Sequence, residues 1–114
     1  MRILVVDDEQ AVVDGICTLI ELLGHKAVGV TSGYEAIDRF GRDRYDLAIV
    51  DVVMPAMNGL EVMRRLRIID PEARIVALTG TGLDFTEVLP AVGIRFVRKP
   101  IGTPDSVADL IGAR

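Results

Sequence analysis

The chain has 114 residues, half of them hydrophobic and about a quarter charged, with a net charge of −4 at pH 7. This length predicts one globular domain with a sizeable buried core. The acidic balance argues against a nucleic-acid-binding surface, which is usually basic, and no apolar stretch approaches the ~20 residues of a membrane span. Cys17 is the only cysteine, so no internal disulfide can form and a reducing, cytoplasmic setting is favoured.

Strand and helix patterns alternate in the first half of the chain. A strand at 2–6 precedes a helix at 10–23, which has apolar residues at helical spacing and is followed by Gly24 as its C-terminal glycine. A second strand at 26–30 precedes a helix that begins with a capping-box sequence at Ser32 and runs to Phe40. A third strand, 47–50, follows.

The alternation continues to the end of the chain. Asn58 predicts the N-cap of a helix, and four of its apolar residues are expected to face inward: Leu60, Met63, Leu66 and Ile69. Strands are predicted at 74–78 and 94–97, and Thr103 caps a last helix. Between those two strands a fourth helix starts near Asp84, but Pro90 limits it to a short or distorted one. Five strands alternating with five helices predict a parallel sheet with helices on both faces.

Charged residues follow three of the predicted strands. Asp7 and Asp8 follow the first strand, Asp51 follows the third, and Lys99 follows the fifth. Parallel sheets place their sites outside the carboxyl ends of the strands, so these groups are expected to converge. Carboxylates about 4 Å apart repel by about 4 kcal/mol per pair at an effective dielectric near 20. Such a cluster needs a divalent cation or a lysine to offset it, which predicts a functional site.

This set of residues resembles the receiver domain of two-component response regulators. The resemblance covers essentially the whole chain and rests on Asp7-Asp8, Asp51 with Met54-Pro55 and Asn58-Gly59, Thr79, Phe96, and Lys99-Pro100. It implies a doubly wound five-stranded parallel sheet of the flavodoxin or CheY-like type, with strand order 2-1-3-4-5. It also implies that residues 1–114 form a single receiver domain, with no output domain in this chain.

The resemblance implies a phosphoacceptor signalling domain and not an enzyme, although such domains assist their own phosphorylation and dephosphorylation. Asp51 would accept a phosphoryl group from a sensor histidine kinase or a histidine phosphotransfer protein. Lys99 and Thr79 would bind the phosphoryl oxygens. Thr79 and Phe96 would then switch the surface toward an unknown protein target. The partners so implied include no nucleic acid and no membrane, and a homodimer is compatible with them.

The resemblance also implies a cofactor, Mg²⁺. Asp7, Asp8 and Asp51 would hold it together with the backbone carbonyl of Val53, an oxygen-only set that suits this hard ion. Val53 and the short Thr81 would offer attacking water no long polar side chain, which predicts slow hydrolysis of the acyl phosphate.

Other function classes fit less well. Thr79-Gly80-Thr81-Gly82 suggests a phosphate-binding loop, but flavodoxins carry theirs after the first strand, where this chain has carboxylates that would repel a flavin phosphate. A haloacid-dehalogenase-type phosphatase needs a second Asp where this chain has Val53. The remaining alternative is a receiver-like scaffold that acts without phosphorylation, although scaffolds usually lack the acidic residues and the lysine found here.

For several residues the sequence allows two structural interpretations. Gly59 permits either a close approach of backbones or unusual dihedral angles, and Phe96 is either a switch residue or a core aromatic. Cys17 is expected in the core. Leu22 lies off the core face of the first helix, as do Val12 and Leu19. These three form either a wide buried stripe or a docking surface for a phosphodonor helix.

Overall fold

The computed structural model describes residues 1–79, 94–98 and 102–112, and for Phe96 and Arg98 only the backbone. Its nine elements are β1 Arg2–Val6, α1 Gln10–Leu22, β2 Lys26–Val30, α2 Gly33–Arg42, β3 Leu47–Asp51, α3 Gly59–Ile69, β4 Ile75–Thr79, β5 Arg95–Arg98 and α4 Pro104–Gly112. The predicted elements in these ranges are confirmed, with ends that differ by one or two residues.

The strands form one parallel sheet in the order β2-β1-β3-β4-β5, as predicted. Strands β3 and β4 are buried along their whole length. Apolar runs of this kind are typical of parallel strands covered on both faces.

Two apolar clusters cover the two faces of the sheet. Leu4 and Val6 of β1 point toward the cluster that contains residues of α2 and α3. Ile3 and Val5, on the opposite face, belong to the cluster with α1 and α4. Because side chains alternate along a strand, each strand contributes to both cores. A shift in register would disrupt the packing of both cores.

The predicted helix ends have the expected local chemistry. The Ser32 hydroxyl accepts from the backbone N–H of Tyr34 at 3.2 Å and of Glu35 at 3.5 Å. Oδ1 of Asn58 accepts from the Glu61 N–H at 3.0 Å. A cap of this kind contributes about 1 kcal/mol to stability. Gly24, with a φ of 88°, takes the left-handed conformation that ends α1.

The structure corrects several sequence predictions. The helix predicted to end at Phe40 continues to Arg42. Asp51 and Thr79 are the last residues of β3 and β4, and neither lies beyond its strand. Ile69 was expected to face inward, but it is the last residue of α3 and is 43% exposed.

For the apolar residues off the core face of α1, the structure supports the wide buried stripe at two of three positions. Val12, Leu19 and Cys17 are half-buried and pack against the cluster beneath α1 and α4, which is therefore wider than the predicted stripe. Cys17, which was expected in the core, packs at the edge of this cluster and is half-buried. Leu22 is 73% exposed and belongs to no core.

The predicted fourth helix, with Asp84 and Pro90, lies outside the described residues. Among the helices described, none has the length and apolar character needed to span a bilayer.

Candidate functional site

Acidic side chains meet at the carboxyl ends of β1 and β3. Val6 and Val50 are register partners, and Asp7 and Asp51 each follow one of them in the chain. Carboxylate oxygens of Asp7, Asp8 and Asp51 all lie within 4.8 Å of one another. The parallel register therefore brings together groups that are far apart in sequence.

The three carboxylates differ in burial. Asp7 is 1% exposed and Asp51 is 5% exposed, whereas Asp8 is open to solvent. Burying two like charges side by side costs free energy. A stable fold does not need such a cluster, which indicates a functional role. The cluster is thus suited to a cation that reaches it from the solvent side, where Asp8 lies.

The orientation of Asp7 is set by the turn between β1 and α1. Oδ1 of Asp7 accepts a hydrogen bond of 3.0 Å from the Glu9 N–H, and the Asp7 N–H donates to the Val30 carbonyl at 3.3 Å. Glu9 occupies the N-cap position of α1, but its side chain makes no capping bond. The Asp7–Glu9 bond was not predicted, although the spacing of two residues is typical of Asp in such turns.

The donor set fits a divalent cation. In an octahedron with metal–oxygen distances of about 2.1 Å, neighbouring ligands lie about 3 Å apart and opposite ones about 4.2 Å. One oxygen from each of the three carboxylates lies within 4.8 Å of the others, which is compatible with a shared cation. Oxygen-only ligands are typical of Mg²⁺ and Ca²⁺ sites, whereas zinc and copper prefer nitrogen and sulfur.

A backbone hydrogen bond to β4 fixes the start of the loop after Asp51. The Val52 N–H donates to the Leu78 carbonyl at 2.9 Å, which extends the β3–β4 pairing by one residue. Val53, the next residue, is 54% exposed. Its side chain brings no polar atom to the rim of the acidic cluster.

Thr79 ends β4 beside the acidic cluster. Its neighbour Leu78 is the register partner of Asp51, so Thr79 lies one residue further toward the carboxyl edge, and it is fully buried. On the next strand, the backbone of Phe96 pairs with Ala77. The side chain of Phe96 and the whole of Lys99 lie outside the described residues.

The sequence matches a known family over nearly its full length. The family described as "Response regulator receiver domain" matches residues 3–111. Response regulator MprA of Mycobacterium avium (strain 104) is 40% identical over 80 residues, which are 70% of this chain and 35% of that protein. The chain therefore matches only about a third of the length of such curated relatives.

Solved structures share the fold. The response regulator TrrA from Thermotoga maritima, crystallised in complex with Mg(2+)-BeF, has a TM-score of 0.87 and 29% identity, with 96% of this chain and 95% of that chain covered. A CheY-like receiver domain from Methanospirillum hungatei JF-1 has a TM-score of 0.88 over 96% of this chain and 89% of that one. At 24% identity, the second likeness concerns the fold alone.

Proposed function

The chain belongs to the family of response regulator receiver domains, and from that premise we propose that Asp51 accepts a phosphoryl group from a phosphohistidine. The donor is a sensor histidine kinase or a histidine phosphotransfer protein. Residues 1–114 act as one receiver unit, a signalling domain that assists its own phosphorylation and is not an enzyme acting on a separate substrate.

One observation carries the proposal: the buried carboxylates of Asp7 and Asp51 lie with Asp8 in a cluster within 4.8 Å. Side chains in this arrangement destabilise one another unless a cation joins them. Asp7, Asp8 and Asp51 would hold Mg²⁺, with the carbonyl of Val53 as a further ligand. Bound there, Mg²⁺ offsets the negative charge of the carboxylates and of the phosphoryl group that approaches them.

In the transfer, the protein contributes a single nucleophile, the carboxylate of Asp51. A carboxylate oxygen of Asp51 forms a bond to phosphorus while the bond from phosphorus to the donor imidazole nitrogen breaks. The product is an acyl phosphate on Asp51, and the imidazole leaves with the electron pair of the broken bond and takes a proton. Positioning and charge stabilisation contribute most of the rate in phosphoryl transfer, and the β1 and β3 ends supply the positioning.

The remaining residues would recognise the product. The hydroxyl of Thr79, at the end of β4, would donate to a phosphoryl oxygen, and the ammonium group of Lys99 would pair with another. Hydrogen bonds with a charged partner contribute roughly 1.5–3 kcal/mol each. Two such bonds supply much of the ~5.5 kcal/mol that takes a two-state equilibrium from 1:99 to 99:1. Phe96 would follow Thr79 and alter the surface offered to a downstream protein.

The experiment is labelling by a radioactive phosphohistidine donor, with and without Mg²⁺. Asp51→Asn keeps the size of the side chain but removes the nucleophile, so labelling is expected to disappear. Asp109→Asn, on the exposed face of α4, is the matched control and should be labelled like the wild type. Undiminished label on folded Asp51→Asn would refute the assignment. If the wild type takes up no label from any donor, the scaffold alternative is favoured.

A further inference from the structure

Gly59 begins α3 directly against the end of β3. A Cβ atom at this position would collide with the carbonyl oxygen of Asp51 and would stand 2.7 Å from the Cα of Val52. It would also lie 2.8 Å from the carbonyl carbon of Asp51. These obstacles are backbone atoms, which cannot rotate away as a side chain does. The helix and the strand end therefore meet at a distance that only glycine allows.

Backbone conformation is not the reason for this glycine. Among the described residues, the only glycine with a positive φ is Gly24. Gly59 has dihedral angles open to other residues, so the close approach is what requires it.

Gly59 also closes the loop that follows the acidic cluster. Its N–H donates to the Val52 carbonyl at 2.8 Å, while the Val52 N–H donates to Leu78 at 2.9 Å. Val52 is thus held from α3 on one side and from β4 on the other. The loop 53–58 starts and ends at this point, immediately after Asp51.

We infer that Gly59 is a positioning residue for the acidic cluster: the absence of its side chain sets the spacing between α3 and the end of β3. That spacing fixes where the Asp51 carboxylate lies relative to Asp7 and Asp8. The inference rests on the proposed function, because the position matters through the cation that the three groups share. Mg²⁺ demands nearly ideal octahedral geometry, so a displaced Asp51 binds it poorly.

Gly59→Ala tests this with two glycine controls. At Gly33 the nearest atoms to a Cβ would be side-chain atoms, Cγ2 of Val62 at 2.7 Å and Cβ and Sδ of Met57 at 3.2 and 3.3 Å, and not the β3 backbone. At Gly15 it would meet nothing within 4 Å. Gly33→Ala therefore introduces a steric clash with core side chains and none with the β3 backbone, and Gly15→Ala introduces no clash.

Mg²⁺ affinity is measured by calorimetric titration, and the metal-free proteins are compared by the amide NMR shifts of Val52 and Leu78. Gly59→Ala is expected to lose roughly 10- to 100-fold in Mg²⁺ affinity, the scale seen when a group that orients metal ligands is changed, and to move both amide shifts. Gly33→Ala is expected to melt at a lower temperature yet bind Mg²⁺ like the wild type. A general loss of stability would not produce this split.

A folded Gly59→Ala protein with wild-type Mg²⁺ affinity would overturn the inference, even if wild-type labelling supports the proposed function. If Gly59→Ala does not fold, Asn58→Ala replaces it, since it removes the 3.0 Å cap bond that holds the first turn of α3. A smaller loss of Mg²⁺ affinity is then expected, and unchanged affinity would again reject the inference. If the wild type binds no Mg²⁺, the proposed metal site and this inference fail together.

Discussion

Oδ1 of Asp7 accepts a 3.0 Å hydrogen bond from the backbone N–H of Glu9, so one bond at the start of α1 orients a carboxylate of the acidic cluster. The bond connects the local turn to the site. Asp7 thus has two roles, as a hydrogen-bond acceptor and as a negative charge in the cluster, and substitutions can remove them one at a time.

Asp7→Asn is expected to stabilise the metal-free protein while weakening Mg²⁺ binding. The amide keeps an oxygen for the Glu9 N–H but removes one of three like charges, whose repulsion is worth about 1 kcal/mol or more after solvent screening. Urea denaturation without metal and Mg²⁺ titration measure the two effects. Asp7→Ala, which also loses the hydrogen bond, should be less stable than Asp7→Asn by about 1 kcal/mol. Equal metal affinity in Asp7→Asn and the wild type would contradict a shared site.

Val53→Glu is expected to shorten the life of the acyl phosphate. Val53 is 54% exposed beside Asp51, and a carboxylate at this position can orient attacking water. A roughly tenfold faster loss of label corresponds to about 1.4 kcal/mol of barrier. Label remaining over time is counted after the donor is removed. Val53→Ala is the control and should resemble the wild type, whose slow hydrolysis stays a prediction; a wild-type lifetime of seconds would count against it.

Gly15→Ala is expected to raise stability by about 0.5–1 kcal/mol. Gly15 lies within α1 and is exposed, and a Cβ there would meet nothing within 4 Å. Alanine therefore brings its higher helix propensity without a steric cost. Thermal melting should shift upward by roughly 4 °C. An unchanged or lower melting temperature would mean that α1 is constrained in a way that the described contacts do not show.

The thiol of Cys17 is expected to react slowly at pH 8. Burial, aided by the carboxylates of Glu21 and Asp14, raises its pKa to about 11, so little reactive thiolate is present. Ellman's reagent measures the rate, and urea-unfolded protein provides the fast reference. Equal rates in the folded and unfolded protein would contradict this.

The same raised pKa of Cys17 has a consequence for stability. An unfolded thiol loses its proton near its ordinary value of 9.0, whereas the folded one keeps it until about 11. The unfolded state therefore binds fewer protons in that window, and this contribution to stability falls as pH rises from 9 to 11. Cys17→Ala should lack that part of the pH dependence. Identical pH profiles of the two proteins would reject the assignment.

Much of the fold was predictable because its signals are local. The side chains of Ser32 and Asn58 cap their helices by accepting hydrogen bonds from backbone N–H groups no more than three residues away. Gly24 takes the left-handed conformation that ends α1. Helix ends were less predictable. The helix after Ser32 passes Phe40 and continues through Gly41 to Arg42, and its last turn holds Arg39 and Arg42, whose positive charges favour a helix C-terminus.

The sequence by itself determined that acidic residues lie at the ends of two strands and that these strands belong to a parallel sheet, because strand periodicity and element order can be read from the chain. Only the tertiary structure decided that Asp7, Asp8 and Asp51 come within 4.8 Å and that Gly59 touches the β3 backbone. These distances depend on register and on helix–strand packing between segments distant in sequence. Local propensities do not encode such packing, because it arises only when both cores close around the sheet.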